Sequence, residues 1–528
     1  MIYVVLTMIR APKSIHPEGE CENHLESVKE LPFEVDTYNG KLFVEWDPES
    51  SVTPLGQLPF FIEFLKLSNC FDRFVSGCPL IYKSNNAPKV RDVLGSLLLS
   101  ILSGHKRYAH IAMLFNDQIS ASMLGMNKFT SEDSARRALK RIPEDSGTKW
   151  LQDSLSHSVE PLLETPWILD VDTTVKPLYG KQEGAVVGYN PHKPGRPSHT
   201  YHTYILANLR LVLDVEVKAG NQGSASYSMP GLIELLTGLD NRHRPVFVRG
   251  DCDFGSESSM HRFEVINMDY LFKVKQSPYV KRLIKSVQCH PDWLPCKDGI
   301  EAIESTLKLS SWSAQRRVIV TRKKIKKSSD SVLKNPESQQ VSFDFIDETE
   351  GEHDYKYAVL VTTLDDEVVS IVQHYCDRAD CENLFDEVKN QWGWGGYATQ
   401  DLSSTSFMAR MIGLVYNWWS LFVRTINADD EGADGHQEAI TSRPLLLTSI
   451  GRITETGRQQ TMTVSNQNSK QPVIKKLLQR TSAFFNQLKS FAPQLDSTGC
   501  WKAILERAVK KIIEKQASRS PPKLQSSP

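Results

Sequence analysis

The sequence predicts a mixed α/β chain with helical flanks around a strand-rich centre. Three observations point there. Residues 56–160 carry a helical pattern, residues from 167 to about 275 mix strand runs with single helices, and helix returns near Met411. At 528 residues the chain exceeds what one core holds, and about 150 residues per domain suggests three or four.

Composition narrows the class only a little. The chain is 40% hydrophobic and 24% charged with a net charge of −1, an ordinary globular balance that argues neither for nor against nucleic acid. Nine cysteines without paired spacings suit free thiols in a reducing compartment. No apolar run reaches the roughly 18–20 residues of a membrane helix. The opening Met1–Arg10 lacks the basic start and small-residue cleavage site of a signal peptide.

The elements follow in order. Phe33-Glu-Val and Leu42–Trp46 read as short strands. Val93–Leu102 reads as a buried helix ended by Ser103-Gly104. Thr130-Ser-Glu-Asp133 has the form of a capping box ahead of the basic helix Ser134–Arg141, compatible with a helix-turn-helix DNA reader or with an ordinary surface helix. Strands are expected at Trp167–Val175, Tyr204–Ala207, Leu211–Val217, Pro245–Arg249 and Tyr270–Val274, with helices at Pro230–Leu239 and about 256–267. Residues 276–350 are lysine-rich and β-like, broken by polar linkers such as Lys327–Ser331. Met411–Phe422 is an aromatic-rich helix, the tail from about 473 is basic and helical, and Ser518 onward reads as disordered.

One stretch carries chemistry. Tyr375, Arg378, Glu382 and Lys389 sit at offsets of zero, three, seven and fourteen. On one continuous helix these fall at roughly 0°, 300°, 340° and 320°, a single narrow stripe. Such a stripe suits a surface that grips phosphate and offers one acid to a metal. Upstream, Asp172 lies in the strand run Asp170-Val-Asp172-Thr-Thr174, and Asp251 follows the strand in Arg249-Gly-Asp251-Cys-Asp253. Asp170 shares the strand face of Asp172 and is an alternative ligand; Asp253 is an alternative to Asp251.

The spacing Y-x2-R-x3-E-x6-K resembles the signature of DDE transposases of bacterial insertion sequences, in the superfamily of insertion-sequence family four. Asp172 resembles the family's Asp-x-Thr first acid, and Arg249–Phe254 its Arg-x-Asp-Ser-Gly-Phe second-acid motif, with Cys252 and Asp253 replacing Ser and Gly. Gly180–Ala185, Gly188-Tyr-Asn190 and Gly104–Arg107 are similar to motifs of insertion-sequence family thirteen-eighty. The resemblance covers most of residues 90–425.

It implies an RNase H-like (retroviral integrase-like) catalytic core with a β-rich insertion, between helical N- and C-terminal regions. Residues 1–55 are then an extension, 56–160 a candidate DNA-binding domain, 161–275 and 351–425 the two parts of the core, 276–350 the insertion, and 426–528 the C-terminal region. Asp172, Asp251 and Glu382 are implied as catalytic metal ligands for two Mg²⁺ or Mn²⁺ ions. Two ions about 3.5–4 Å apart activate the attacking oxygen and stabilise the leaving one, and oxygen donors suit these cations. Tyr375, Arg378 and Lys389 are implied phosphate contacts. The basic loop Tyr189–His199, with Lys193 and Arg196, is a further candidate for DNA. The long gap between Asp251 and Glu382 leaves room for the insertion, where Trp312, flanked by Arg316 and Arg317, could stack on a flipped base. Cys289-His290 with Cys296 lacks a second ligand pair and is not read as a zinc site.

The implied activity is cut-and-paste transposition through a hairpin intermediate. Its partners are terminal inverted repeats and target DNA, its form a homodimer on DNA, and its place the bacterial cytoplasm or nucleoid, with no membrane. A transposase-derived DNA-binding protein without catalysis, and an RNase H-like nuclease, are the alternatives.

Overall fold

The computed structural model describes residues 33–47, 51–191, 193–324, 346–347, 355–430, 435–466, 469–491 and 496–517. The opening Met1–Arg10, the linker Lys327–Ser331 and the tail from Ser518 therefore lie outside the described residues. The chain divides into two compact units, Met1–Ser50 and Ser51–Pro528. Within the first, Phe33–Thr37 and Gly40–Val44 form an antiparallel hairpin, whose Phe33 and Trp46 rings meet edge to face at 5.4 Å.

The second unit is built around one large sheet. Ile168–Pro177 pairs antiparallel with Pro197–Leu206, which carries Leu211–Ala219 and the short Val186–Val187. On its other side Ile168–Pro177 runs parallel to Phe247–Gly250, and that strand parallel to Tyr270–Lys273. The sheet does not stop there. Tyr355–Thr362, Arg316–Lys324, Ile300–Leu307 and Leu294–Pro295 extend it as antiparallel neighbours. The stretch expected as a β-rich insertion thus adds strands to the same sheet, and it opens with a helix, Pro278–Val287. The edge of Tyr270–Lys273 is paired by Tyr355–Thr362, so the sheet continues past the central strands.

The helix Leu402–Asn427 is buried without a break from Phe407 to Asn427, as expected of a helix that is apolar on every side. Asn417 is its register pin. Its side chain accepts from Val212 N–H at 2.8 Å and donates to Val212 C=O at 2.7 Å, satisfying polar backbone on the strand beneath. Arg410 pairs with Asp214 on the same strand at 2.8 Å, both 3% exposed.

The flanks differ from expectation in detail. Val90–Leu102 is buried and ends at Ser103, with Gly104 at φ +80°, a conformation that favours glycine. The basic helix runs Glu132–Arg141, and its cap is Ser131, whose hydroxyl accepts from Ser134 N–H at 3.2 Å. Thr130, the expected cap, is buried instead. The helix expected from Pro230 begins at Ala225 and carries Pro230 inside it. The C-terminal region has helices Gln471–Phe491 and Ser497–Ala517 but also a hairpin, Gly451–Thr456 with Gln459–Val464, paired to Val52–Thr53.

Candidate active site

Strand register brings the first two acids together. In the parallel pair, Asp170 stands opposite Arg249 and Val171 opposite Gly250. Asp172 and Asp251 are the next residues out along each chain, so they leave neighbouring strands at the same level, about 4.8 Å apart in backbone. Asp172 accepts from Thr173 N–H at 2.8 Å. Asp251 accepts from Asp253 N–H at 2.9 Å, an Asx-type turn that carries the chain away from the sheet. The alternatives are engaged elsewhere. Asp170 is fully buried in an ion pair with Arg249 at 2.6 Å, and Asp253 pairs with Lys275 at 2.5 Å.

The third acid arrives on a broken helix, which corrects the expectation of one continuous stripe. Val368–Cys376 ends with Tyr375 in its last turn, and Ala379–Gln391 begins with Arg378 as its cap residue. At the break, Arg378 N–H bonds to Tyr375 C=O at 3.2 Å, three residues back rather than four. Arg378 then reaches two acids at once, Asp172 at 3.0 Å and Glu382 at 3.2 Å. Lys389 is half-buried on the same helix, two turns or about 10 Å beyond Glu382. Tyr375 is 7% exposed, in an apolar cluster with Phe247, Leu271 and Ile371. Burial raises its phenol, which lies within electrostatic reach of Arg378 and Asp251.

The electrostatics are those of crowded carboxylates around one guanidinium. Burial raises the Asp172 carboxyl, and the charges of Glu382 and Asp170 add to this, against Arg378 and the Thr173 N–H. Asp251 is pushed up to about 6 by burial first, then by the charges of Asp172 and Asp253, again opposed by Arg378. Carboxylate oxygens are the donors that Mg²⁺ and Mn²⁺ take, so the donor chemistry of Asp172, Asp251 and Glu382 fits such a cation. Among the described residues no three His, Cys, Asp or Glu side chains stand close enough, as they are, to hold a metal. Two of the acids turn their charge onto Arg378 instead.

The other expected DNA contacts separate into two groups. Lys193 and Arg196 are exposed and gather at Tyr179, with Lys193 Nζ donating to its hydroxyl at 2.6 Å and the Arg196 guanidinium 4.6 Å from its ring centre. Tyr179 itself is 69% exposed; it was not singled out from sequence, and its place next to a basic turn-rich loop was the available signal. Trp312 and its neighbours behave otherwise. Trp312 is 4% exposed in the main core, with the Arg316 guanidinium 5.3 Å from its ring centre. Arg316 pairs with Glu257 at 2.6 Å and Glu264 at 2.8 Å, and Arg317 with Glu304 at 2.6 Å. The reading of Trp312 as a stacking platform is corrected to that of a core residue, and the two arginines spend their charge within the fold.

The family described as transposase DDE domain group 1 matches residues 82–484 of this chain. A comparison with curated proteins found none that matches. Among solved structures, the cryo-EM structure of the piggyBac transposase synaptic complex with hairpin DNA is similar at 10% identity and a TM-score of 0.36, covering 90% of this chain and 87% of that one.

Proposed function

The chain belongs to the transposase DDE domain group 1 family, an enzyme family of DNA transposition and recombination, and from that premise we propose that it performs cut-and-paste transposition of a bacterial insertion sequence. Within the family we place it with insertion-sequence family four, nearest family thirteen-eighty, with an RNase H-like core. The strand order from Leu211–Ala219 through Pro197–Leu206, Ile168–Pro177 and Phe247–Gly250 to Tyr270–Lys273 supports that core. The observation that carries the reading is the meeting of Asp172 and Glu382, far apart in sequence, on the single guanidinium of Arg378.

In this reading Asp172, Asp251 and Glu382 hold two Mg²⁺ or Mn²⁺ ions. Bound there, the ions would lower the pKa of the attacking water and stabilise the leaving oxygen of the phosphodiester. Arg378 exchanges its carboxylates for the phosphate next to the cut, where its planar fork can bind two oxygens. Lys389, farther along the helix, contributes a point charge to the same strand. Lys193 and Arg196, held together by Tyr179, track the DNA backbone, and the helix Glu132–Arg141 contacts the terminal repeat. Cleavage frees a 3′-OH, which attacks the opposite strand to form a hairpin; the hairpin is reopened and the end joined to target DNA. Two chains pair the two ends as a homodimer. The setting is the bacterial cytoplasm or nucleoid; among the described residues no helix is long and apolar enough to cross a membrane.

The test incubates the purified chain, Mg²⁺ and a duplex carrying the inverted repeats that flank its gene. Nicked, hairpin and strand-transfer products are expected, with Asp172→Asn and Glu382→Gln lowering the rate by at least about 1000-fold, in keeping with the several kcal/mol of transition-state stabilisation that such ions supply. Wild-type protein that gives no more product than Glu382→Gln would end the proposal. Cleavage indifferent to the end sequence would leave a nuclease in its place.

A further inference from the structure

We infer that Asp170 and Arg249 form a positioning clamp that breaks the helix ahead of Arg378 and so aims Arg378 and Glu382 at the other two acids. The clamp rests on the reading of Asp172, Asp251 and Glu382 as metal ligands, and none of its own atoms is assigned to the metal or the DNA.

Three bonds carry the inference. Arg249 Nε and Nη2 donate to the two carboxylate oxygens of Asp170 at 2.6 and 2.7 Å, a bidentate pair across neighbouring parallel strands. The two side chains are 1% and 0% exposed. The remaining nitrogen, Nη1, donates to the carbonyl of His374. That carbonyl is the one which Arg378 N–H would take in a continuous α-helix. With it taken by Arg249, the Arg378 N–H turns to Tyr375 C=O, and a side chain inserted into the ladder is a recognised cause of a kink.

The consequence is geometric. Asp170 and Arg249 lie on the strands that carry Asp172 and Asp251, each two residues before its acid, and successive alternate residues share one face of a sheet. The clamp therefore fastens the helix end directly to the backbone that presents two acids. Arg378 follows the break by one short turn, and Glu382 by one more. A guanidinium fixed in all three directions leaves this helix little freedom to shift along the sheet. Burying both charges costs desolvation, and stability alone gives weak reason to keep such a pair. A role in placing the third ligand explains why a charged pair sits where apolar side chains would pack.

The experiment measures Mn²⁺ binding to the full chain without DNA, by the electron paramagnetic resonance of free Mn²⁺, and nicking kinetics on terminal-repeat duplex. Arg249→Lys keeps the charge but loses the fork and its third bond. The double variant Asp170→Leu with Arg249→Met removes both charges at similar volume, a replacement that buried pairs often tolerate. Both are checked by circular dichroism and thermal melting. In the folded variants Mn²⁺ affinity is expected to fall about 10- to 100-fold, the range for residues that orient metal ligands, and kcat to fall with KM for DNA little changed. Folded variants with wild-type Mn²⁺ affinity and kcat would overturn the clamp, and so would failure of both to fold, which assigns the pair to stability alone. If Glu382→Gln binds Mn²⁺ as the wild type does, the metal-site reading fails first and takes the clamp with it.

Discussion

Arg378 decides the behaviour of the acids in the metal-free protein. It lies between Asp172 and Glu382 and supplies the positive charge against which both are held. Arg378→Gln should lower the melting temperature at pH 7.5, less so at pH 5 where the carboxyls can take up protons. The same variant should bind Mn²⁺ several-fold more tightly, since a competing cation is gone, and cleave DNA more slowly. Titration of Mn²⁺ beside melting curves checks both directions. Asp251 sets a pH window of its own. Burial and the charge of Asp172 push its carboxyl up to about 6, above the roughly 3.9 of an unfolded aspartate. Between those values this carboxyl holds more of its proton in the folded chain than in the unfolded one, so its contribution to the stability of the metal-free protein falls as pH rises from about 4 to 6. Metal binding needs the ionised form, so Mn²⁺ affinity should rise across the same window. Asp251→Asn should flatten the stability trend. At this scale the sequence was informative where spacing is local, as in the one-turn separation of Arg378 and Glu382, while Asp172 rests on its resemblance to the family's first-acid motif. Asp170 could not be told from a ligand, because its partner Arg249 lies 79 residues away and only register joins them.

Elements were legible in kind and less so at their ends. The helical period that placed Tyr375, Arg378, Glu382 and Lys389 on one stripe has no means of registering a carbonyl captured from another strand, so the break after Cys376 was invisible. Likewise a hydroxyl that caps and one that packs look alike in sequence, and Ser131 took the part expected of Thr130. Trp312 shows the same limit in a functional residue. Two arginines beside a tryptophan suggested an exposed platform, yet Glu257 and Glu264 neutralise Arg316 over its ring from a helix earlier in the chain. Truncation should therefore act on folding. Trp312→Ala is expected to cost about 3–5 kcal/mol, read by denaturant unfolding, while Trp312→Phe, milder in stability, keeps wild-type affinity for terminal-repeat DNA by fluorescence anisotropy. A loss of DNA affinity in a stable Trp312→Phe protein would restore the stacking role.

The molecule as a whole joins what the sequence divides. A mixed α/β class with a central sheet was readable from alternating runs, but the partners of those runs were not, since periodicity identifies a strand without naming its neighbour. Residues 276–350 were expected as a β-rich insertion, and their strands Ile300–Leu307 and Arg316–Lys324 continue the sheet that carries Asp172. The active-site strands lie in the interior of that sheet, and the helix Leu402–Asn427 is buried along nearly all its length. The acids thus depend on the most protected part of the fold for two of their positions and on a helix end for the third. Amide hydrogen exchange should display the difference. Protection should be greatest in Ile168–Pro177, Phe247–Gly250, Tyr270–Lys273 and Leu402–Asn427, where opening demands disruption of the core. Peptides spanning Arg378–Gln391 should exchange faster in the metal-free protein and slow on adding Mn²⁺, while the hairpin Gly451–Val464 stays as it was. Slowing spread evenly over both would mean that the ion stabilises the fold at large, and would argue against Glu382 as a metal ligand.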